Sequence, residues 1–214
     1  PIADLDGVSL GQKVKNRIPE LPVILLTHSA LTSEFVPEQI NSKSIDHVFV
    51  WSGNSDILLA LVKNVEDRLN VMHDTKVAGV RVILFVEDSP IYASALLPIL
   101  YKEVVRQIQN VMQEGLNEEH RLLSMRARPK ILHAKNFEEA TSLYEQFEPY
   151  VLGVISDVRF PRNNEIDDKA GVTFLSRIKE KRFDIPLLLT SSEPANREKA
   201  AEIPASFIDK NSPT

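Results

Sequence analysis

The feature that most restricts this chain is a series of short apolar runs, each stopped by a polar break. Five are clear: PVILLT (22–27), HVFVW (47–51), RVILFVED (81–88), VLGVISD (151–157) and IPLLLTS (185–191). Both faces of such a run are apolar, as a strand covered on both sides of a parallel sheet requires. Two weaker runs, PKILHA (129–134) and ASFIDK (205–210), share the layout. Helical patterns separate the runs. In NSDILLALVKNVEDRLNVM the apolar residues Ile57, Leu58, Leu61, Val62, Val65 and Leu69 recur at helix spacing, with Asn54 or Ser55 as the N-cap. FEEATSLYEQF, AGVTFLSRIKE and EPANREKAAEI read as further amphipathic helices. Strand and helix alternate, so the fold class is α/β with a parallel sheet.

One helical stretch is out of scale. From about Ser89 to about Met125 the apolar positions Leu97, Leu100, Val104, Ile108, Val111, Met112 and Leu116 keep helical spacing. Pro90 suits a first turn, Pro98 falls inside, and Gly115 weakens the run. A helix of ~35 residues would be about 50 Å long and would outrun a small sheet. Two arrangements fit: a break near Gly115, or one helix whose far end docks on a partner or a second copy.

The chain also echoes itself. LPVILLTHSALTSEFVPEQINSKSIDHVFVWSGN has the layout of IPLLLTSSEPANREKAAEIPASFIDKNS, and LDGVSLGQKVKNRIPELPV parallels KAGVTFLSRIKEKRFDIPL in plan. Two copies of one unit are therefore expected, a partial one over residues 1–73 and a fuller one over 81–214, with 74–80 as linker. The length of 214 residues accommodates this.

Composition narrows the chemistry. With no Cys, disulfides, thiolate metal sites and a cysteine nucleophile are excluded. The balance of 25 Lys+Arg against 30 Asp+Glu gives −5, and no basic recognition stretch is visible, so no nucleic-acid partner is expected. No apolar run approaches the ~18–20 residues of a membrane span. The opening PIADLDGVSL lacks a signal-peptide layout, and a cytoplasmic location without membrane contact is expected. There is no Gly-rich phosphate loop. His28, His47, His73, His120 and His133 lack metal-ligand spacing and read as surface or core residues. Residues 118–129 read as a solvated charge run, and Met72, Met112 and Met125 as core filler.

In parallel α/β sheets ligands gather at the carboxyl ends of the strands. Here those ends carry Glu87 and Asp88, Asp157, Thr190 and Ser191, and Lys210. Three carboxylates held close raise one another's pKa, and a hard divalent cation such as Mg²⁺ relieves the repulsion. An ionised Asp beside a Lys and a hydroxyl is equipped to attack a phosphoryl group, a reaction that needs mainly positioning and charge neutralisation.

The acidic pair in LFVEDS, the lone Asp in ISDVRFP, the hydroxyl in LLLTSS and the Lys in FIDKNS, in that order, resemble the receiver domain of bacterial response regulators. The resemblance implies a doubly wound, five-stranded flavodoxin-like sheet preceded by a partial copy of the same unit. It implies Asp157 as phosphoacceptor, with Mg²⁺ held by Asp88, by Glu87 through water, by Asp157 and by the backbone carbonyl of Arg159. Ser191 would be the switch hydroxyl, Phe207 the switch aromatic, and Lys210 the contact to the phosphoryl group. Thr190, one position early, would point to the core. The phosphodonor would be a histidine kinase or a phosphotransfer protein.

This sequence departs from the family pattern in several places. The first helix is longer, the loop RFPRNNEIDDKAG after Asp157 is long and charged, and Asn211 stands where Pro usually follows the Lys. In the first copy Thr27 takes the hydroxyl position, but Trp51 stands where Lys is expected, so that copy is degenerate. The paired arrangement, with RFPR after the acceptor, is similar to the front of phosphoenolpyruvate synthase-like multidomain proteins. That similarity implies a C-terminal phosphotransfer output domain, regulated by a stoichiometric phosphoacceptor rather than an enzyme. Two other readings compete. One is a pseudo-receiver scaffold or homodimer working through the long helix around Ile108 and Met112. The other is a Mg²⁺-dependent phosphohydrolase, disfavoured because position 159 is Arg and not a second acid.

Overall fold

The computed structural model describes residues 7–28, 44–114 and 128–212. The first helix, α1 (Gly7–Arg17), leads to β1 (Ile24–His28); β2 (His47–Trp51) precedes a 23-residue helix α2 (Asp56–Ala78). Then come β3 (Val82–Val86), α3 (Pro90–Glu114), β4 (Lys130–Ala134), α4 (Phe137–Phe147) and β5 (Val151–Asp157). A hairpin of β6 (Phe160–Arg162) and β7 (Glu165–Asp167) follows, then α5 (Ala170–Lys181), β8 (Leu187–Ser191), α6 (Arg197–Glu202) and β9 (Ser206–Asp209).

The main sheet is parallel throughout, in the order β4-β3-β5-β8-β9. Numbered within that sheet the order is 2-1-3-4-5, the doubly wound flavodoxin-like arrangement. Alternation along β3 shows how it is filled. Val82, Leu84 and Val86 face a core completed by Phe137 and Tyr144 of α4 and Phe174, Leu175 and Ile178 of α5. Phe85 faces the opposite way, into a cluster with Ala93, Leu97 and Tyr101 of α3. The side-chain period of two thus divides one strand between two layers.

That second cluster also contains Phe49 of β2 and Ile57 and Ala60 of α2, so the upstream unit shares a core with the main sheet. The two upstream strands pair in parallel with each other. Helix α2 ends where Gly79 adopts φ +63 and its N–H bonds back to the Thr75 carbonyl at 3.0 Å, a left-handed cap suited to glycine. Residues 74–78 are thus the last turns of α2, and the chain enters β3 three residues after the cap begins.

Helix α2 lies along β4, the edge strand. The Ile131 N–H donates to Asp67 Oδ2 at 2.9 Å, and Arg68 Nη1 donates to the His133 carbonyl at 3.2 Å. Tyr101 of α3 donates to the Ile131 carbonyl at 3.4 Å. The outward backbone groups of an edge strand template further pairing; here side chains occupy the Ile131 N–H and the Ile131 and His133 carbonyls. Fully buried Asp67 is gripped on both oxygens by the Arg128 guanidinium. On the other side, the Val50 N–H at the edge of β2 donates to Ser94 Oγ of α3 at 2.8 Å.

Several sequence expectations change. The segment expected as a loop after Asp157 is a hairpin, because Asn163 and Asn164 take φ +54 and +64, the paired left-handed geometry of a tight two-residue turn. Arg128, assigned to a solvated charge run, is buried by its pairing with Asp67. Met72, expected in the core, is 40% exposed. Helix α3 runs unbroken through Pro98 to Glu114; residues 115–127, where a break near Gly115 was one alternative, lie outside the described residues, as do His120 and Met125. Ile108 and Met112 line a groove against Leu59 and Val77 of α2.

Candidate functional site

Each ladder rung that ends a strand fixes one functional side chain. The Glu87 N–H donates to the Ala134 carbonyl at 3.0 Å, just past the end of β3, and holds the acidic pair at the sheet edge. Val158 N–H donates to the Thr190 carbonyl at 3.1 Å, and Lys210 N–H to the Ser191 carbonyl at 2.8 Å. Thr190 is buried and its hydroxyl donates to the Ser156 carbonyl at 3.3 Å, so it faces the core as its register requires. Ser191, one residue on, lines a cavity of about 400 Å³ together with Asp88, Asp157, Arg159, Lys199 and Lys210.

Inside this edge Glu87, Asp88 and Asp157 bring carboxylate oxygens within 4.8 Å of one another. Lys210 Nζ reaches Glu87 Oε2 at 2.5 Å and Asp157 Oδ2 at 2.8 Å, with its side chain only 2% exposed. The same ammonium lies 4.4 Å from the centre of the Tyr92 ring, whose π face adds a favourable contact to the buried cation. Glu87 is fully buried, and burial pushes its carboxyl up to about 7; nearby Asp157 raises it further and Lys210 opposes both. Asp88 is likewise raised, first by burial and then by Asp157. Such a set of hard oxygen donors, charged more than its surroundings favour, fits a divalent cation of the Mg²⁺ type.

Arg159 lies at the cavity wall, and its guanidinium pairs with Asp168 at 3.3 Å on the surface. Phe207 is half-buried against the main core, beneath the Arg197 guanidinium at 5.2 Å. Asn211 donates from Nδ2 to the Ser192 carbonyl at 3.0 Å and accepts from the Tyr92 hydroxyl at 3.5 Å. It therefore ties the Lys210 loop to β8 and α3. Trp51 is half-buried against the cluster under α3, a packing role.

Three supporting residues escaped the sequence reading. A Cβ at Gly171 would lie 1.9 Å from the Asp157 carbonyl oxygen and 2.9 Å from its carbonyl carbon, so α5 can approach the end of β5 only at a glycine. His133 Nε2–H donates to the Glu87 carbonyl at 2.8 Å, pinning the peptide that carries the acidic pair. Burial holds His133 down at about 4, and so neutral. Its ring stacks with that of His47 of β2, centroids 6.2 Å apart. Asn196, buried, donates from Nδ2 to Ser191 Oγ at 2.9 Å. The residue types gave no signal for these.

No protein-family model matches the chain, and no curated protein does. Among solved structures it is similar to the chemotaxis response regulator CheY4 of Vibrio cholerae, at 17% identity over 62% of this chain and 88% of that one, with a TM-score of 0.35. It is also similar to a CheX–CheY–BeF3–Mg²⁺ complex from Borrelia burgdorferi, at 21% identity over 64% of this chain and 81% of that one, with a TM-score of 0.36. At such scores the fold rests on the strand order itself: the chain carries a flavodoxin-like sheet with three carboxylates and one ammonium gathered at its carboxyl edge.

Proposed function

We propose that residues 81–214 are a phosphorelay receiver and that Asp157 accepts a phosphoryl group from a histidine kinase or phosphotransfer protein. The observation that carries this reading is the convergence of the adjacent Glu87 and Asp88 with Asp157 and Lys210, from strand ends remote in sequence, at one edge of the sheet. An Asp157 carboxylate oxygen attacks the phosphorus of a phosphohistidine; the new O–P bond forms as the P–N bond breaks, and the imidazole leaves. Lys210 neutralises charge on the phosphoryl oxygens, and the Ser191 hydroxyl donates to one of them. Glu87, Asp88 and Asp157, with the Arg159 carbonyl, would hold Mg²⁺, which supplies further charge neutralisation at those oxygens. The protein is then a stoichiometric acceptor, and the change in charge of roughly −1.5 to −2 biases an attached or partner output domain. Residues 1–73 act as a partial, degenerate receiver that packs on α3, since Trp51 replaces the needed ammonium.

Beryllofluoride with Mg²⁺, or acetyl phosphate, tests this. Wild type should bind and change its amide spectrum, and Asp157→Asn should not. An identical response in Asp157→Asn removes the acceptor role. A second reading, a scaffold working through the α2–α3 groove lined by Ile108 and Met112, predicts partner binding that survives Asp157→Ala.

A further inference from the structure

We propose that Asn196 is the positioning residue that sets the Ser191 hydroxyl as a donor and links it to α6 and Phe207; this rests on the acceptor reading above. A hydroxyl has two lone pairs and one proton. At Ser191 two N–H groups address the oxygen: Glu193 N–H at 3.1 Å and Asn196 Nδ2–H at 2.9 Å. With both lone pairs engaged, the hydroxyl's remaining capacity is donation. Phosphoryl oxygens are acceptors only, so the arrangement matches the ligand expected on Asp157 across the same cavity. Both residues are buried, Ser191 at 4% and Asn196 at 8% exposure, and both line the cavity that Asp157 faces.

The position of Asn196 gives the contact a second effect. It closes the short 3-10 turn Pro194–Asn196 and is the residue before α6. Its neighbour Arg197 lies over the Phe207 ring at 5.2 Å from the centroid. A movement of Ser191 toward a phosphoryl group therefore either breaks the Asn196 bond or draws the Asn196–Arg197 pair with it. In the second case the guanidinium shifts from Phe207, and the outer surface of β9 changes. The link between hydroxyl and aromatic is thus two adjacent residues, one holding each end.

The test uses the full chain, ¹H–¹⁵N spectra and a titration with beryllofluoride and Mg²⁺. Wild type should show changes at 197–202 and at Phe207. Asn196→Ala keeps Asp157, Glu87, Asp88 and Lys210, and should still bind within about threefold of wild type while losing at least half of the changes at those positions. Asn196→Asp turns a donor into an acceptor, so Ser191 donates to it instead, and binding should weaken about tenfold. Arg197→Ala should remove the Phe207 response and leave that of Ser191. Unchanged amide dispersion elsewhere in the free variants excludes unfolding, and if Asn196→Ala does not fold, Asn196→Asp and Arg197→Ala decide the matter. Wild-type responses in Asn196→Ala, or wild-type affinity in Asn196→Asp, overturn the proposal alone. No response in wild type overturns the acceptor reading and this assignment with it.

Discussion

Protons and a divalent cation should compete for one set of oxygens. Burial and Asp157 lift Glu87 from an ordinary 4.5 to about 7. In the unfolded chain Glu87 loses its proton near 4.5, whereas in the fold it keeps it to about 7. Without metal its contribution to stability is therefore complete below pH 4.5 and is lost as pH rises through about 7, by roughly 3 kcal/mol at about 1.4 kcal/mol per pH unit. Mg²⁺ acts in the opposite sense, since it requires the ionised carboxylates. At about 100 times its Kd, Mg²⁺ would stabilise by about 2.7 kcal/mol at pH 8. A group titrating near 7 is about 97% protonated at pH 5.5, which weakens Mg²⁺ about thirtyfold and leaves roughly 0.9 kcal/mol at the same concentration. For a chain of this size about 1 kcal/mol moves the melting temperature by about 2–4 °C. Thermal unfolding with and without Mg²⁺ should then give shifts of about 5–11 °C at pH 8 and about 2–4 °C at pH 5.5. Equal shifts at the two pH values, or an unaltered shift in Asp88→Asn, would refute the reasoning.

Asp67→Ala leaves Arg128 buried without its partner and the Ile131 N–H unmet, and should cost about 3–5 kcal/mol in urea denaturation. The apolar pair Asp67→Leu with Arg128→Met should recover most of it. Gly171→Ala drives a methyl into the Asp157 carbonyl and should cost about 1–3 kcal/mol or more, with at least tenfold slower phosphorylation by acetyl phosphate. Lys210→Met removes the cation shared by Glu87 and Asp157. The Glu87 carboxyl should then titrate above about 7 by carbon-detected NMR, and acceptor activity should fall.

The strand ends were legible because chemistry there is carried by residue type. Carboxylates, a hydroxyl and a lysine closing apolar runs are not core filler, and the parallel sheet gives them one shared edge, where Glu87 and the Lys210 side chain are nonetheless buried. Alternation of strand and helix fixed the class but not the strand order, which only the resemblance of the motifs implied. The hairpin after Asp157 was missed because NN is a weaker turn signal than NG, and the charged sequence around it lacks an alternating apolar face. The Asp67–Arg128 pair was missed for a different reason. In a helix that reads as amphipathic, a charge on the buried side registers only when its partner, 61 residues away, is known to be adjacent. Support by Gly171, His133 and Asn196 depends on contacts between elements, which no local pattern encodes.

The placement of Asp67 and Arg68 against β4 makes the upstream segment a buttress. Its long helix seals the flank of the main sheet, a duty that needs packing and buried hydrogen bonds and no chemistry of its own. A polypeptide starting at Val80 would therefore bare that flank and should self-associate through it, even though Glu87, Asp88, Asp157 and Lys210 are all still present.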